Sequence, residues 1–340
     1  MNLAKQIFEE IEQPWVSFLV PVYNSEQYIE RCSRSLFNQT YPNTEFIFCD
    51  DCSTDHSIDV LQTVVEDYQE RSEHIRIIRH EKNRHIASTL NSLVEACRTP
   101  WLIYIDNDDW VEPDMVENLV KKQQETDADI VFSNHVTHII GGSYKASFLP
   151  QGSKDDYMKY MLSKRGRHYR WGNLIRRSLF TDNNIRLPEE VSNYGEDLYV
   201  LIALGCFSSE MVTAPIYAYH YERTREGSFS YMNSDKIGSY ALGTINTLQL
   251  IRDFLTKNMA QYVDYYNLNI YQEYLLDFMG ETARYGNHSA HRQVVERHKS
   301  LLQQYPTRNK SWRICITNRI KYSYAIYRLI MMIKSKLGII

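Results

Sequence analysis

The chain has 340 residues and a mass of 40.2 kDa, with 43% hydrophobic and 24% charged residues, which predicts about two domains with a real core and excludes a disordered chain. Glycine is scarce at 13, and no stretch reads GxGxxG or GxxxxGKS/T, which excludes the usual dinucleotide fingerprint and phosphate loop. The formal charge of -4 hides a split, because residues 297–340 hold ten Lys/Arg and no Asp/Glu, leaving the body before them at -14.

Residues 1–14 carry acids where a signal peptide needs an apolar core, and no window offers about 20 uncharged apolar residues for a spanning helix. A cytoplasmic address is expected. From residue 16 to about 128, short apolar runs at 16–20, 45–49, 75–79 and 101–105 read as buried strands. Between them, 25–38, 57–71 and 86–97 have apolar residues at helical spacing. Ser25 is the expected N-cap of the first helix, and Thr54 or Asp55 of the second. Such alternation predicts an α/β fold, a mostly parallel sheet with helices on both faces.

Ligands in such sheets sit beyond the carboxyl ends of the strands. The first strand is followed by PVYN (21–24), the second by DDCSTD (50–55) and the fourth by DNDDW (106–110). Two acidic runs at one sheet edge repel each other unless a cation or hydrogen-bond donors compensate. Asp-x-Asp at a strand end offers hard oxygen ligands for Mg²⁺ or Mn²⁺, ions that bind one or two carboxylates plus a substrate's phosphates. In extended geometry Asp106 and Asp108 project to one side, while Asp109 faces away and fixes the loop. Asp50 and Asp51 are better placed to accept hydrogen bonds from a base or ribose.

The stretch 129–230 is less regular, with β-like runs at 129–133 and 216–221 and a helix at 196–205 opened by YGED. Residues 231–304 read as helical and tyrosine-rich, with a turn signal at 280–289. Six cysteines lie without framework spacing, which suits a reducing compartment. Cys49 and Cys52 form a CxxC that lacks a second pair or a nearby His, so neither zinc nor redox chemistry is expected. HEKNRH (80–85) spaces its histidines five apart, which spoils the shared face of a zinc-protease helix.

PVYN, DDCSTD, DNDDW and YGED, in that order over residues 16–230, resemble the family 2 glycosyltransferases of bacterial cell-surface polysaccharide synthesis, which have the Rossmann-like GT-A fold. The resemblance implies a metal-dependent inverting hexosyltransferase using Mn²⁺ or Mg²⁺. Its donor would be a nucleotide-diphosphate sugar, with UDP as the carrier, and its acceptor a hydroxyl of a cell-surface glycan or lipid-linked glycan. Pro21 and Tyr23 would border the nucleotide, Asp51 would accept from the uracil, Asp106 would lie near the ribose or metal waters, and Asp108 would bind the metal. Asp197 would be the general base. YHYERTREGSFS (219–230) resembles the family's Tyr-Arg-x-x-x-Gly-Ser element, making His220 a metal or phosphate contact and Arg223 a diphosphate contact. Trp171, Asn173, Arg176 and Arg177 resemble a stretch that lines the acceptor side, with Trp171 equally suited to the core.

Two positions depart from the family pattern, since His85 and Cys52 stand where it has glycine; packing or specificity differences are expected there. A nucleotide-sugar-binding module without catalysis would lack the base or a metal ligand. A nucleotidyltransferase would carry a glycine-rich basic loop, and PVYNSEQY has no Lys or Arg. The expected organisation is a glycosyltransferase domain over 1–230, a helical region over 231–305 and a basic amphipathic tail over 306–340. That tail, with Trp312, Ile316 and Ile320 on one side and Arg313, Lys321 and Arg328 opposite, is expected to meet an anionic membrane surface. The protein would then be peripheral on the inner face of the cell membrane. No nucleic-acid partner is expected.

Overall fold

The computed structural model describes residues 14–147, 152–164, 166, 168–189, 194–224 and 234–304, with 329 and 333. The chain forms two units: one from the residues up to 157 with 169–189 and 207–225, the other from 158–168, 190–206 and the residues after 225. The basic tail lies outside the described residues apart from 329 and 333.

The first unit is built on one sheet of nine strands: β1 (Val16–Val22), β2 (Thr44–Asp50), β3 (Ile75–Arg79), β4 (Trp101–Tyr104), β5 (Trp110–Val111), β6 (Ile130–Ile139), β7 (Gly142–Ala146), β8 (Leu174–Arg176) and β9 (Met211–Glu222). Their order is β3-β2-β1-β4-β8-β6-β9-β5, with β7 paired to β6. The first four are parallel, β8 runs against both neighbours, and β9 lies parallel to β6. Six of the nine point one way, so the expected mostly parallel α/β sheet forms. All seven residues of β1 are buried, as a strand covered on both faces must be.

Helices pack on this sheet through apolar positions three and four apart. Helix Ile29–Phe37 buries Ile29, Cys32, Ser33, Leu36 and Phe37. Phe37 sets its ring edge on Phe46 at 5.0 Å, and Phe46 stacks on Phe18 at 5.5 Å. Each such ring contributes about 1.5–3 kcal/mol by leaving water.

Ser25 does not cap that helix. The helix begins at Ile29, and the Ser25 carbonyl accepts from Tyr28 and Ile29, while its amide is drawn to Ser57 Oγ at 2.7 Å. Nor is Thr54 or Asp55 the N-cap of helix Ser57–Asp67: that position is His56, with Asp55 one residue earlier accepting from the Ser57 amide at 3.1 Å. Helix Met115–Thr126 and the strands β5, β7 and β8 were not foreseen. β5 and β8 are two and three residues long, too short for a periodic signal, and β7 is exposed at four of its five residues and offers no apolar run.

In the second unit, helix Glu196–Phe207 matches the helix expected at 196–205, and helices Ser234–Asn258, Gln272–Arg284 and His288–Gln304 form the helical C-terminal region. Gly280 lies inside a helix. The break falls at Gly286, whose φ of +75° ends the helix in the left-handed region. Burial holds the His168 and His291 imidazoles below their ordinary pKa, against the opposing pull of the Met161 and Met279 carbonyls that each faces. For His168, Asp197 also opposes the shift. A histidine depressed in the folded state stabilises above its unfolded pKa of about 6.5 and loses that contribution as pH falls below it. We expect the melting temperature to drop between pH 7.5 and 5.5. The drop should be shallower in a His168→Gln/His291→Gln double variant, read by thermal melts across that range.

Candidate functional site

The chain leaves β1, adds β2 and β3 on one side, then returns to place β4 on the other. That reversal opens a crevice at the carboxyl ends of β1 and β4, where ligands of open α/β sheets bind. The sequence places its acidic runs at this edge. Register sets Val22 of β1 beside Asp50 of β2, and Leu19 beside Tyr104 of β4.

At the end of β1, Pro21 is buried and its carbonyl accepts from Asn107 Nδ2 at 2.8 Å. Tyr23 beyond it is 45% exposed. After β2, Asp50 Oδ1 accepts from the Ser53 amide at 2.9 Å, and Asp51 Oδ1 accepts from His80 Nδ1 at 2.7 Å and the Arg84 amide at 2.8 Å.

The Asp-x-Asp run is not extended. Residues 107 and 108 form a turn, closed by the Asp109 amide on the Asp106 carbonyl at 3.1 Å. Asp106 pairs with the Arg170 guanidinium. The Asp108 carbonyl accepts from Arg31 at 2.8 Å. Asp109 turns into the fold, as expected, and is fully buried. It accepts from the Tyr219 hydroxyl and, at 2.8 Å, from the Glu222 amide. Burial first, then the Asp108 and Asp106 charges, push its carboxyl well above the usual range.

β5 brings this loop to β9, with Trp110 opposite His220. His220 stacks on Trp110 at 5.0 Å. Its Nε2 lies 2.7 Å from Glu112 Oε1 and its Nδ1 lies 3.0 Å from His138 Nε2. Both ring nitrogens are therefore engaged. Arg31 lies 3.8 Å over the Trp110 ring and pairs with Glu222, tying the Asp108 turn to the end of β9. Arg223 follows there, exposed, with its amide on the His138 carbonyl at 3.0 Å.

Pro21, Asp51, Asp106, Asp108, His220 and Arg223 thus belong to one unit and one edge of its sheet. Asp197 belongs to the second unit, in the first turn of helix Glu196–Phe207. The turn before it has Gly195 at a φ of +84° and is tied down by Thr247, whose hydroxyl donates to the Tyr194 carbonyl.

In the 171–177 stretch Trp171 and Asn173 are buried, while Arg176 and Arg177 are half-exposed. Trp171 is buried and stacks on Tyr219 at 4.1 Å. A Cβ on Gly172, at φ +72°, would stand 2.9 Å from the Tyr219 ring. Asn173 donates to the Tyr169 carbonyl at 2.7 Å, Arg176 pairs with Asp129 at 2.6 Å, and the Arg177 amide donates to the Pro100 carbonyl at 2.8 Å.

Arg170, His80, Arg31 and Tyr219 are what the residue patterns missed. The signal was the need to compensate clustered carboxylates, which says that donors come but not which ones. The fold also brings a histidine to the CxxC, with His80 Nε2 3.6 Å from Cys49 Sγ. Burial, then Asp51 and Asp50, push the Cys49 thiol up to about 12, so it remains protonated.

Cys52 and His85 both have a φ of +64°. These are the two departures from the family's glycines, and the left-handed backbone is the physical reason for glycine there. That conformation costs a side-chain-bearing residue about 1–2 kcal/mol, partly offset by the greater chain entropy glycine loses on folding. We expect His85→Gly to raise stability by about 0.5–1 kcal/mol in urea unfolding.

Among the described residues no three His, Cys, Asp or Glu side chains converge as a metal cage. The donor set still suits a hard divalent ion, because Asp106 and Asp108 offer carboxylate oxygens and such an ion takes its remaining ligands from phosphate and water.

Residues 17–181 match the family described as Glycosyl transferase family 2. The chain is 30% identical over 217 residues to EpsH of Bacillus subtilis, covering 62% of this chain and 61% of that protein. It is 29% identical to the glycosyltransferase GlyA of Streptococcus pneumoniae, covering 65% of this chain and 32% of that one. The chain thus spans less than two thirds of these relatives. In fold it is similar to TarS residues 1–349 of Staphylococcus aureus, solved with UDP-GlcNAc, at a TM-score of 0.56 and 19% identity over 95% of this chain and 92% of that one. The mannosyltransferase PcManGT of Pyrobaculum calidifontis, solved with GDP-Man and Mn²⁺, gives a TM-score of 0.54 at 15% identity, covering 94% and 88%. With its acidic strand ends at the switch point of a GT-A sheet, the segment 17–181 carries the sequence of glycosyltransferase family 2.

Proposed function

We propose that this protein transfers a sugar from a UDP-sugar to a hydroxyl of a cell-surface or lipid-linked glycan, with inversion and with a divalent ion on the donor diphosphate. The observation that carries the reading is the placement of Asp51, Asp106 and Asp108 at strand ends flanking β1. Pro21, Tyr23 and Asp51 would hold the base. Asp108 would hold Mn²⁺ or Mg²⁺, which supplies Lewis-acid stabilisation of the departing diphosphate, and Asp106, paired with Arg170, would lie near the ribose or the metal's waters. His220 would reach that ion or the diphosphate only by releasing Glu112 or His138. Arg223 would meet the diphosphate charge.

Asp197 would take the acceptor hydroxyl proton as that oxygen attacks the anomeric carbon. One C–O bond forms to the acceptor as the bond to the diphosphate oxygen breaks, and the electron pair leaves with UDP. No covalent sugar–enzyme intermediate is involved. The test is a panel of nucleotide sugars with Mn²⁺ and the purified protein. Release of UDP from one UDP-sugar is expected, and release of pyrophosphate from a nucleoside triphosphate and sugar phosphate would overturn the reading.

The domain at 1–230, the helical region at 231–305 and the tail at 306–340 form part of the same proposal, with the tail as the contact to an anionic membrane. No helix among the described residues is long and apolar enough to cross one. Near an anionic surface each Lys or Arg contributes about 1 kcal/mol, so a chain cut after Tyr305 is expected to lose salt-sensitive sedimentation with anionic liposomes. Equal binding by both forms would remove the tail from this role.

A further inference from the structure

Asp51 is 4% exposed and its carboxylate is held at one end only. Oδ1 takes both His80 Nδ1, at 2.7 Å, and the Arg84 amide, at 2.8 Å. Two donors fill that oxygen's two lone-pair directions, so the group cannot rotate without losing both. Oδ2 receives no hydrogen bond among the described residues.

His80 is itself fixed. Its amide donates to the Asp50 carbonyl at 2.9 Å, and its ring, 7% exposed, sets Nε2 3.0 Å from Ser92 Oγ on helix His85–Ala96. With Asp51 ionised, Nδ1 carries the proton and Nε2 accepts from the Ser92 hydroxyl, which selects one tautomer. The protonated Cys49 thiol lies against the same nitrogen and adds no charge.

We infer that His80 is a positioning residue for nucleobase selection. The chain from Ser92 through His80 to Asp51 leaves a single oriented oxygen, Oδ2, as the acceptor that no described residue engages. Such an acceptor is met by a base with a ring N–H, such as uracil at N3. Cytosine presents an acceptor at that atom and would leave the carboxylate unpaired, which costs about tenfold or more in affinity. The inference rests on the proposed placement of the donor base at Asp51.

Calorimetric titration of UDP and of CDP into the full-length protein tests it, with thermal melts confirming that each variant folds. The wild type is expected to favour UDP over CDP by about tenfold or more. His80→Leu should bring that ratio to within about threefold by leaving Asp51 held by the Arg84 amide alone and free to turn about it, while CDP affinity stays near the wild-type value. His80→Asn, whose side-chain amide can donate where Nδ1 does, should restore most of the preference. If His80→Leu fails to fold, Ser92→Ala serves, because it removes the hydroxyl that holds Nε2 and loosens the ring against Asp51, which should lower the ratio. An unchanged ratio in whichever of these two variants is read overturns the role of His80. A wild type that binds both nucleotides equally well instead overturns the placement of the base at Asp51, and one that binds neither overturns the donor reading; either result takes this inference with it.

Discussion

Asp108→Asn is expected to weaken Mn²⁺-dependent UDP binding by at least about 10²-fold, since replacing a direct ligand should cost no less than the 10–100-fold typical of outer-shell partners. The fold should survive. Residue 108 lies in a partly exposed turn that Arg31 holds through the backbone carbonyl, and asparagine keeps that carbonyl and nearly the same volume. Titration of UDP with and without Mn²⁺ gives the comparison. If the variant retains the wild-type difference between the two conditions, Asp108 is not the ligand.

Asp197→Asn should leave UDP affinity unchanged and lower turnover by about 10²-fold or more, because a general base acts on the acceptor proton in the transition state and adds little to ground-state donor binding. Asp197 sits in the first turn of its helix, where an acid also favours the helix dipole by about 0.3–1 kcal/mol. A purely structural role would therefore show as a small loss of stability with normal turnover. A large fall in kcat with unchanged UDP affinity and a near-normal melt separates catalysis from the dipole effect. Near-normal turnover with the natural acceptor would place the base elsewhere.

Much of this protein could be read from one dimension. The runs 16–20, 45–49 and 101–105 are strands because their apolar residues need burial on both faces, whereas 75–79, expected buried, is a half-exposed strand at the sheet edge. The intervening helices follow from apolar spacing of three and four. Both are local properties of the chain, as is the position of each acidic run directly after a strand. Those properties were enough to put Asp51, Asp106 and Asp108 at one edge of one sheet.

Which carboxylate does what was decided by the tertiary structure. Asp106, Asp108 and Asp109 are near neighbours of one residue type, yet one pairs with Arg170, one stands in a turn held by Arg31, and one is buried against Tyr219. Arg170 is 64 residues from Asp106, and Tyr219 is 110 residues from Asp109. His80 is 29 residues from Asp51. Even the chain geometry between Asp106 and Asp109 is a turn and not the extended form that a strand end suggests. The periodicities of 2 and 3.6 that sequence reading rests on report which face a side chain occupies, and they decay within one element. A buried charge must instead be matched by whatever donor the fold brings within about 3 Å, and that partner is fixed only when the strands have been ordered and registered.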